Sequence, residues 1–184
     1  MKTIFYVLFV VHISSLAAFA TTAWQRLDAD LARVRYFPQN DRVFCLGSNG
    51  CLLRSEDQGA TWKQVVTNTD TYLLSIDFAT SLVGTIVGVN SLILRTTDGG
   101  ISWKQIVSPT QNYIGDVHFV SPTIGFACGS SGTVLKTFDA GLTWEKLNFP
   151  YSIPLNTIVM ESPTNGFVAG YSSHILRTID GGQV

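Results

Sequence analysis

The sequence predicts an all-β protein: a β-propeller of four-stranded antiparallel blades, with about four blades present, either a complete ring or a partial one. Three observations predict it. First, one motif recurs at Ser55-Glu56-Asp57-Gln58-Gly59-Ala60-Thr61-Trp62, Thr96-Thr97-Asp98-Gly99-Gly100-Ile101-Ser102-Trp103, Thr137-Phe138-Asp139-Ala140-Gly141-Leu142-Thr143-Trp144 and Thr178-Ile179-Asp180-Gly181-Gly182, always 41 residues on. A fixed period of that length marks a repeat architecture. Second, the intervals between motifs hold short alternating or β-branched stretches separated by turn residues. Third, no segment beyond the first twenty residues shows sustained helical spacing.

Whole repeats share the period. Gly47, Gly88, Gly129 and Gly170 are equivalent, as are Leu53, Leu94, Leu135 and Leu176, and Ile76, Val117 and Ile158. Phe78, Phe119 and Met160 form a further column. The second repeat shows the strands plainly. Leu73-Leu74-Ser75-Ile76-Asp77-Phe78 alternates as a half-buried strand does. Gly84-Thr85-Ile86-Val87-Gly88-Val89 is rich in β-formers, Asn90-Ser91 turns the chain, and Leu92-Ile93-Leu94-Arg95-Thr96 returns it. The aspartate turn then leads to Trp103-Lys104-Gln105-Ile106 as the outer strand. Four antiparallel strands per repeat of about 40 residues make a propeller blade.

The turn motif has its own chemistry. The aspartate carboxylate and the Ser/Thr hydroxyl are placed to accept backbone N–H groups of the turn. Gly59, Gly100 and Gly141 supply positive φ there. Trp62, Trp103 and Trp144 bring large aromatic area to lock each outer strand. A metal site is not implied, because Asp57, Asp98, Asp139 and Asp180 sit on different blades and cannot share one ion. No cofactor is implied either.

The motif Ser/Thr-x-Asp-x-Gly-x-Thr/Ser-Trp resembles the Asp-box, or BNR repeat, of sialidases, sortilin-type receptors, some glycoside hydrolases and the photosystem II stability/assembly factors. The longer pattern is most similar to that last family. It is carried by Gly125-Phe126-Ala127-Cys128-Gly129, Gly166-Phe167-Val168-Ala169-Gly170, Leu94-Arg95-Thr96-Thr97-Asp98-Gly99-Gly100 and Leu176-Arg177-Thr178-Ile179-Asp180-Gly181-Gly182. The likeness spans about residues 24 to 184. It implies a structural Asp-box built from Asp57, Gly59, Trp62, Asp98, Gly100, Trp103, Asp139, Gly141, Trp144, Asp180 and Gly182, lying on the periphery. It also implies a non-enzymatic scaffold that binds a protein client.

Arg54, Arg95, Lys136 and Arg177 occupy one repeat position. On successive blades they form either a cationic arc for an acidic client or a set of packed stems with heads at solvent or at their own turn carboxylates. The first reading makes them the client-binding residues.

Catalysis has little support. The Arg-Ile-Pro segment that the sialidase resemblance would bring is absent. A glycosidase needs two convergent carboxylates. Asp77 and Asp116 are the best pair, both on first strands facing a central channel, though surface or turn roles suit them better. The enzymatic alternative is an Asp-box hydrolase, sialidase-like and acting on a glycan ligand. A sortilin-like ligand-binding domain is a third reading. His118 and His174 have no metal or triad spacing.

Charged residues are 14% of the 184, and net charge is −1. That excludes a basic nucleic-acid surface or a polybasic membrane patch. Residues 1–20 read as a signal peptide: Lys2, an apolar run from Ile4 to Val11, and the small-x-small site Ala18-Phe19-Ala20. Residues 21–184 are then the Asp-box domain, secreted or lumenal, with no stable membrane insertion after cleavage. Secretion permits a disulfide between Cys45 and Cys51, which would face each other across a turn at Gly47-Ser48-Asn49; two small buried hydrophobes are the equal alternative. Cys128 has no partner by repeat position and is expected to be a buried thiol.

Trp24-Gln25-Arg26-Leu27 resembles the outer strands Trp62-Lys63-Gln64-Val65, Trp103-Lys104-Gln105-Ile106 and Trp144-Glu145-Lys146-Leu147. It suits a closing strand in the last blade of a four-bladed ring. The favoured alternative is the first part of a larger propeller, leaving strand edges open.

Overall fold

The computed structural model describes residues 30–171 and 174–182. The expected signal peptide and the expected closing strand at Trp24 to Leu27 lie outside the described residues. Four antiparallel sheets follow one another along the chain. Blade 1 holds β1 (Leu31–Phe37), β2 (Arg42–Gly47), β3 (Leu52–Ser55) and β4 (Lys63–Gln64). Blade 2 holds β5 (Leu73–Phe78), β6 (Gly84–Gly88), β7 (Ile93–Thr96) and β8 (Lys104–Gln105). Blade 3 holds β9 (Ile114–Phe119), β10 (Gly125–Gly129), β11 (Thr133–Thr137) and β12 (Glu145–Lys146). Blade 4 holds β13 (Leu155–Met160), β14 (Gly166–Gly170) and β15 (Ile175–Thr178) among the described residues. Each blade is an up-and-down meander, as the sequence predicts, and in blades 1 to 3 the aspartate turn joins the third and fourth strands.

The blades pack face to face in chain order, so the core is a series of slabs between sheets. Between blades 1 and 2, Phe44 stacks on Phe78 with ring centroids 5.3 Å apart, and Phe37 and Trp103 meet Phe78 edge-on. Between blades 2 and 3, Val87 and Ile93 pack with Val117, Phe119 and Trp144. Between blades 3 and 4, Phe126 and Val134 pack with Ile158 and Met160. Middle strands are therefore buried on both faces: β6 and β10 have no exposed residue. The first strands are less uniformly buried, mixing buried with part-exposed or exposed positions.

One register detail departs from the strict period. The β1–β2 hairpin, where Tyr36 pairs with Val43, holds one residue more than the equivalent hairpin between Phe78 and Gly84. Asp41 takes φ +54° in that turn. As a result β1 is displaced by one: Arg33 opposite Leu46 is equivalent to Ser75 opposite Val87, Asp116 opposite Cys128 and Thr157 opposite Ala169.

The cysteine hairpin also differs from expectation. Asn49 and Gly50 both take positive φ, and Cys51 N donates to Ser48 O, so an Asn-Gly turn closes the loop. Cys45 then pairs with Leu53, not Cys51. The two cysteines stand diagonally, a relation that holds Cα atoms about 7–8 Å apart. That is beyond ordinary disulfide reach. Cys45, Cys51 and Cys128 are free thiols. Burial raises the Cys45 thiol to about 11 and pushes Cys128 higher still. No helix among the described residues is long and apolar enough to cross a membrane.

Candidate functional site

The aspartate turns come first, because they fix the blade rims. In the first, Ser55 Oγ accepts from Gly59 N (2.8 Å) and donates to Asp57 Oδ1 (2.7 Å). Asp57 in turn accepts from Thr61 N and Thr61 Oγ1 (2.6 Å). Asp98 and Asp139 repeat this with Ser102 and Thr143, and Asp180 accepts from Thr178 Oγ1 and Gly182 N. Gly59, Gly100, Gly141 and Gly182 all carry positive φ. The carboxylates are saturated by their own turns, and among the described residues no cluster could hold a metal ion.

Those hydrogen bonds have a titration consequence. The Thr61 hydroxyl and amide hold Asp57 at about 2. For Asp98, burial opposes, but the Ser102 and Thr96 bonds outweigh it and the group also sits at about 2. A carboxylate lowered in the folded state stabilises fully above its unfolded value, near 3.9, and loses that contribution as pH falls toward the folded value. Unfolding by urea is therefore expected to become easier from about pH 4 down to about pH 2. Asp98→Asn is expected to flatten that slope. An unchanged slope in the variant would show that the turn is not the acid-sensitive element.

The basic column is an inter-blade clamp. Arg54 Nε donates to Gly99 O (3.1 Å), Arg95 Nε to Ala140 O (2.8 Å) and Lys136 Nζ to Gly181 O (3.5 Å). Each cation thus caps a backbone carbonyl in the aspartate turn of the next blade. Lys136 also lies over the Phe126 and Phe138 rings, 4.9 and 5.0 Å from their centroids. Arg54 pairs with Glu56 at 2.9 Å. Arg54 and Lys136 are buried, with their heads spent between blades. Arg177 is exposed, and Arg95 is half-buried.

The polar side chains that do converge lie on the inner strands. Asp116 is buried, yet its Oδ1 accepts from Arg33 Nη1 (3.0 Å) and Ser75 Oγ (2.7 Å). Its Oδ2 accepts from Thr157 Oγ1 (2.8 Å) and Ile158 N (3.1 Å). Arg33, Ser75, Asp116 and Thr157 form one column across four blades, centred on one carboxylate. Two residues beyond Ser75 on β5, Asp77 Oδ2 accepts from Phe119 N and Oδ1 from Phe78 N. Burial pushes the Asp77 carboxyl up, against those two amides and the nearby His118 and Arg35. His118 lies 3.7 Å from Asp77 and contacts Met160 O through Nε2 (3.1 Å). The sequence reading found Asp77 and Asp116 but missed Arg33, Ser75 and Thr157. Asp116 and Asp77 do not face each other as an acid pair; each staples its own blade to a neighbour. Arg33 is part-exposed and Arg35 exposed, so two cations stand on the inner edge of blade 1.

Three buried side-chain polar atoms have no partner among the described residues: Thr85 Oγ1, Trp103 Nε1 and Trp144 Nε1. Thr85 Oγ1 sits where Phe44 and Phe126 stand in other blades. A buried unpaired hydroxyl costs about 1–3 kcal/mol. Thr85→Val keeps the shape and is expected to stabilise by about 1 kcal/mol in a urea titration. A loss of stability would show that the hydroxyl is bonded.

The family model for Photosynthesis system II assembly factor YCF48 matches residues 55–108 and 101–184. The chain belongs to the YCF48 family. No curated protein matches its sequence. Among solved structures, YCF48 from Cyanidioschyzon merolae superimposes with TM-score 0.69 at 18% identity, over 85% of this chain and 56% of that one. A structure of YCF48 bound to D1 peptide gives 0.57 at 18% identity, over 85% and 81%. An ancestral GH74 enzyme gives 0.71 at 14% identity, over 89% and 25%. The chain thus spans little more than half the length of the Cyanidioschyzon YCF48. At these identities the likenesses speak for the fold, which YCF48 proteins and GH74 enzymes share.

Proposed function

We propose that this chain is a non-enzymatic scaffold that holds a protein client, in the role of a photosystem II assembly factor. Residues 1–20 would direct it, as a cleaved signal peptide, to a lumenal or extracellular compartment. The observation that carries this reading is the YCF48 match across residues 55–184. A relative solved with a D1 peptide supports a peptide segment as the client. The inner-strand chemistry supports binding over hydrolysis. Glycan hydrolysis needs two carboxylates turned toward a sugar, whereas Asp116 and Asp77 are engaged with neighbouring strands.

With Arg54 and Lys136 committed between blades, the client contact moves to Arg35 on β1, exposed beside Arg33. The test is fluorescence anisotropy of a labelled D1 peptide against the purified chain at low and high salt. Saturable binding is expected, weakened by salt and weakened several-fold by Arg35→Ala. Equal binding by the variant would remove Arg35 from the contact. No binding, together with glycan hydrolysis by the same sample, would replace the scaffold by the hydrolase reading.

A further inference from the structure

The first strands carry a second column of side chains, two residues along from the Asp116 ladder. Arg35 opposite Phe44, Asp77 opposite Thr85, His118 opposite Phe126 and Val159 opposite Phe167 are register equivalents. Asp77 is part-buried and accepts two backbone amides, from Phe78 and Phe119. Among the described residues, His118 is the basic side chain within ion-pair distance of it, with Nδ1 3.7 Å from Asp77 Oδ2. The other ring nitrogen faces the next blade. Val159 brings no polar group there, and Nε2 meets the Met160 carbonyl at 3.1 Å. One imidazole on blade 3 therefore stands between a carboxylate of blade 2 and a carbonyl of blade 4, with an acceptor oxygen on each side.

A neutral imidazole has one N–H and one lone pair, whereas the imidazolium has two N–H groups. Whichever nitrogen keeps the proton in the neutral ring, the other turns its lone pair on an oxygen. We propose that His118 is a proton-operated staple: charged, it ties blades 2, 3 and 4 together, and neutral, it ties blade 3 to only one neighbour. The groups around the ring leave that role to it. On β5 the ionisable residue is Asp77, and β6 and β13 carry none. From β10 comes Cys128, whose thiol burial keeps uncharged. Asp116, two residues back on β9, is held by Arg33. Arg35 acts on Asp77 from β1 and favours its charged form. Glu161, after Met160, is exposed.

The paired contacts of the charged ring exist only in the folded chain. Their contribution is present in acid and lost as the imidazole gives up its proton, between roughly pH 5 and pH 8. The aspartate turns act in the opposite direction and only below about pH 4, so the two windows do not overlap. Burial pushes the Asp77 carboxyl up, and a carboxyl raised by folding also stabilises toward acid. A variant of the ring alone separates the two.

The test is urea unfolding of the full chain and of His118→Gln at about pH 5.5 and about pH 8. The glutamine amide can still donate to the Met160 carbonyl but carries no charge. Between those two conditions the unfolding constant of the parent is expected to rise about tenfold more than that of the variant. His174, exposed and bonded to the Tyr171 carbonyl, is common to both chains and cancels. An equal pH dependence in the two chains overturns the proposal and leaves Asp77 as the responsible group. A second measurement needs no variant to fold. In the labelled parent, proton–nitrogen NMR should show two slowly exchanging ring N–H protons on His118 in acid and one in alkali. Fewer than two in acid would also overturn the staple.

Discussion

Asp116→Ala is expected to destabilise the protein by about 3–5 kcal/mol, the range for breaking a buried ion pair from one side. The carboxylate is the meeting point of four blades. Removing it leaves the buried Ser75 hydroxyl and Ile158 amide without their acceptor, and also takes a partner from the part-exposed Arg33 guanidinium and the exposed Thr157 hydroxyl. Arg33→Ala is expected to cost much less. Arg33 is about a third exposed, and Asp116 would keep its bonds to Ser75, Thr157 and Ile158. The asymmetry separates a ladder centred on Asp116 from a simple two-residue salt bridge, for which the two variants would cost alike. Urea titrations of both single variants and the double variant decide it, the double costing less than the sum. A loss below about 1 kcal/mol for Asp116→Ala would mean that the apolar slabs alone hold the blades.

The second large effect is expected at Gly100. Gly59 and Gly100 hold one position of one motif, with φ of +93° and +85°. An alanine at either must enter the left-handed region at about 1–2 kcal/mol. The surroundings differ. A Cβ on Gly59 would meet only the Trp62 ring at 3.5 Å, an ordinary contact. On Gly100 it would lie 2.7 Å from two carbons of the Phe44 ring, which is stacked on Phe78 and fully buried. Overpacking of that kind adds about 1–3 kcal/mol. Gly100→Ala is therefore expected to cost about 3 kcal/mol or more and Gly59→Ala about 1–2. Trimming the ring with Phe44→Leu should recover part of the Gly100→Ala loss, since the two changes share one contact. Equal costs for the two alanines would show that Phe44 yields without penalty.

The sequence by itself determined the blade. Period, strand order, turn chemistry and the positive-φ glycines follow from local pattern, because hydrophobic alternation and turn conformation are decided within a few residues. Even the missed Asn49-Gly50 turn was legible there: its preference for two positive φ values set the hairpin register and separated Cys45 from Cys51. Tertiary structure decided everything between blades. The cations of the basic column look alike in sequence, but Arg54 and Lys136 are buried against carbonyls 45 residues on while Arg177 is exposed. The ladder on Asp116 was hidden because one added residue in the first hairpin moves Arg33, rather than Val34, into the column. A slip of one residue turns a strand's side chains to the other face. Only the packed neighbour shows which face won. The physical reason is the same throughout: a blade is specified by contacts close in sequence, whereas the charge, burial and freedom of each side chain are set by the blade beside it.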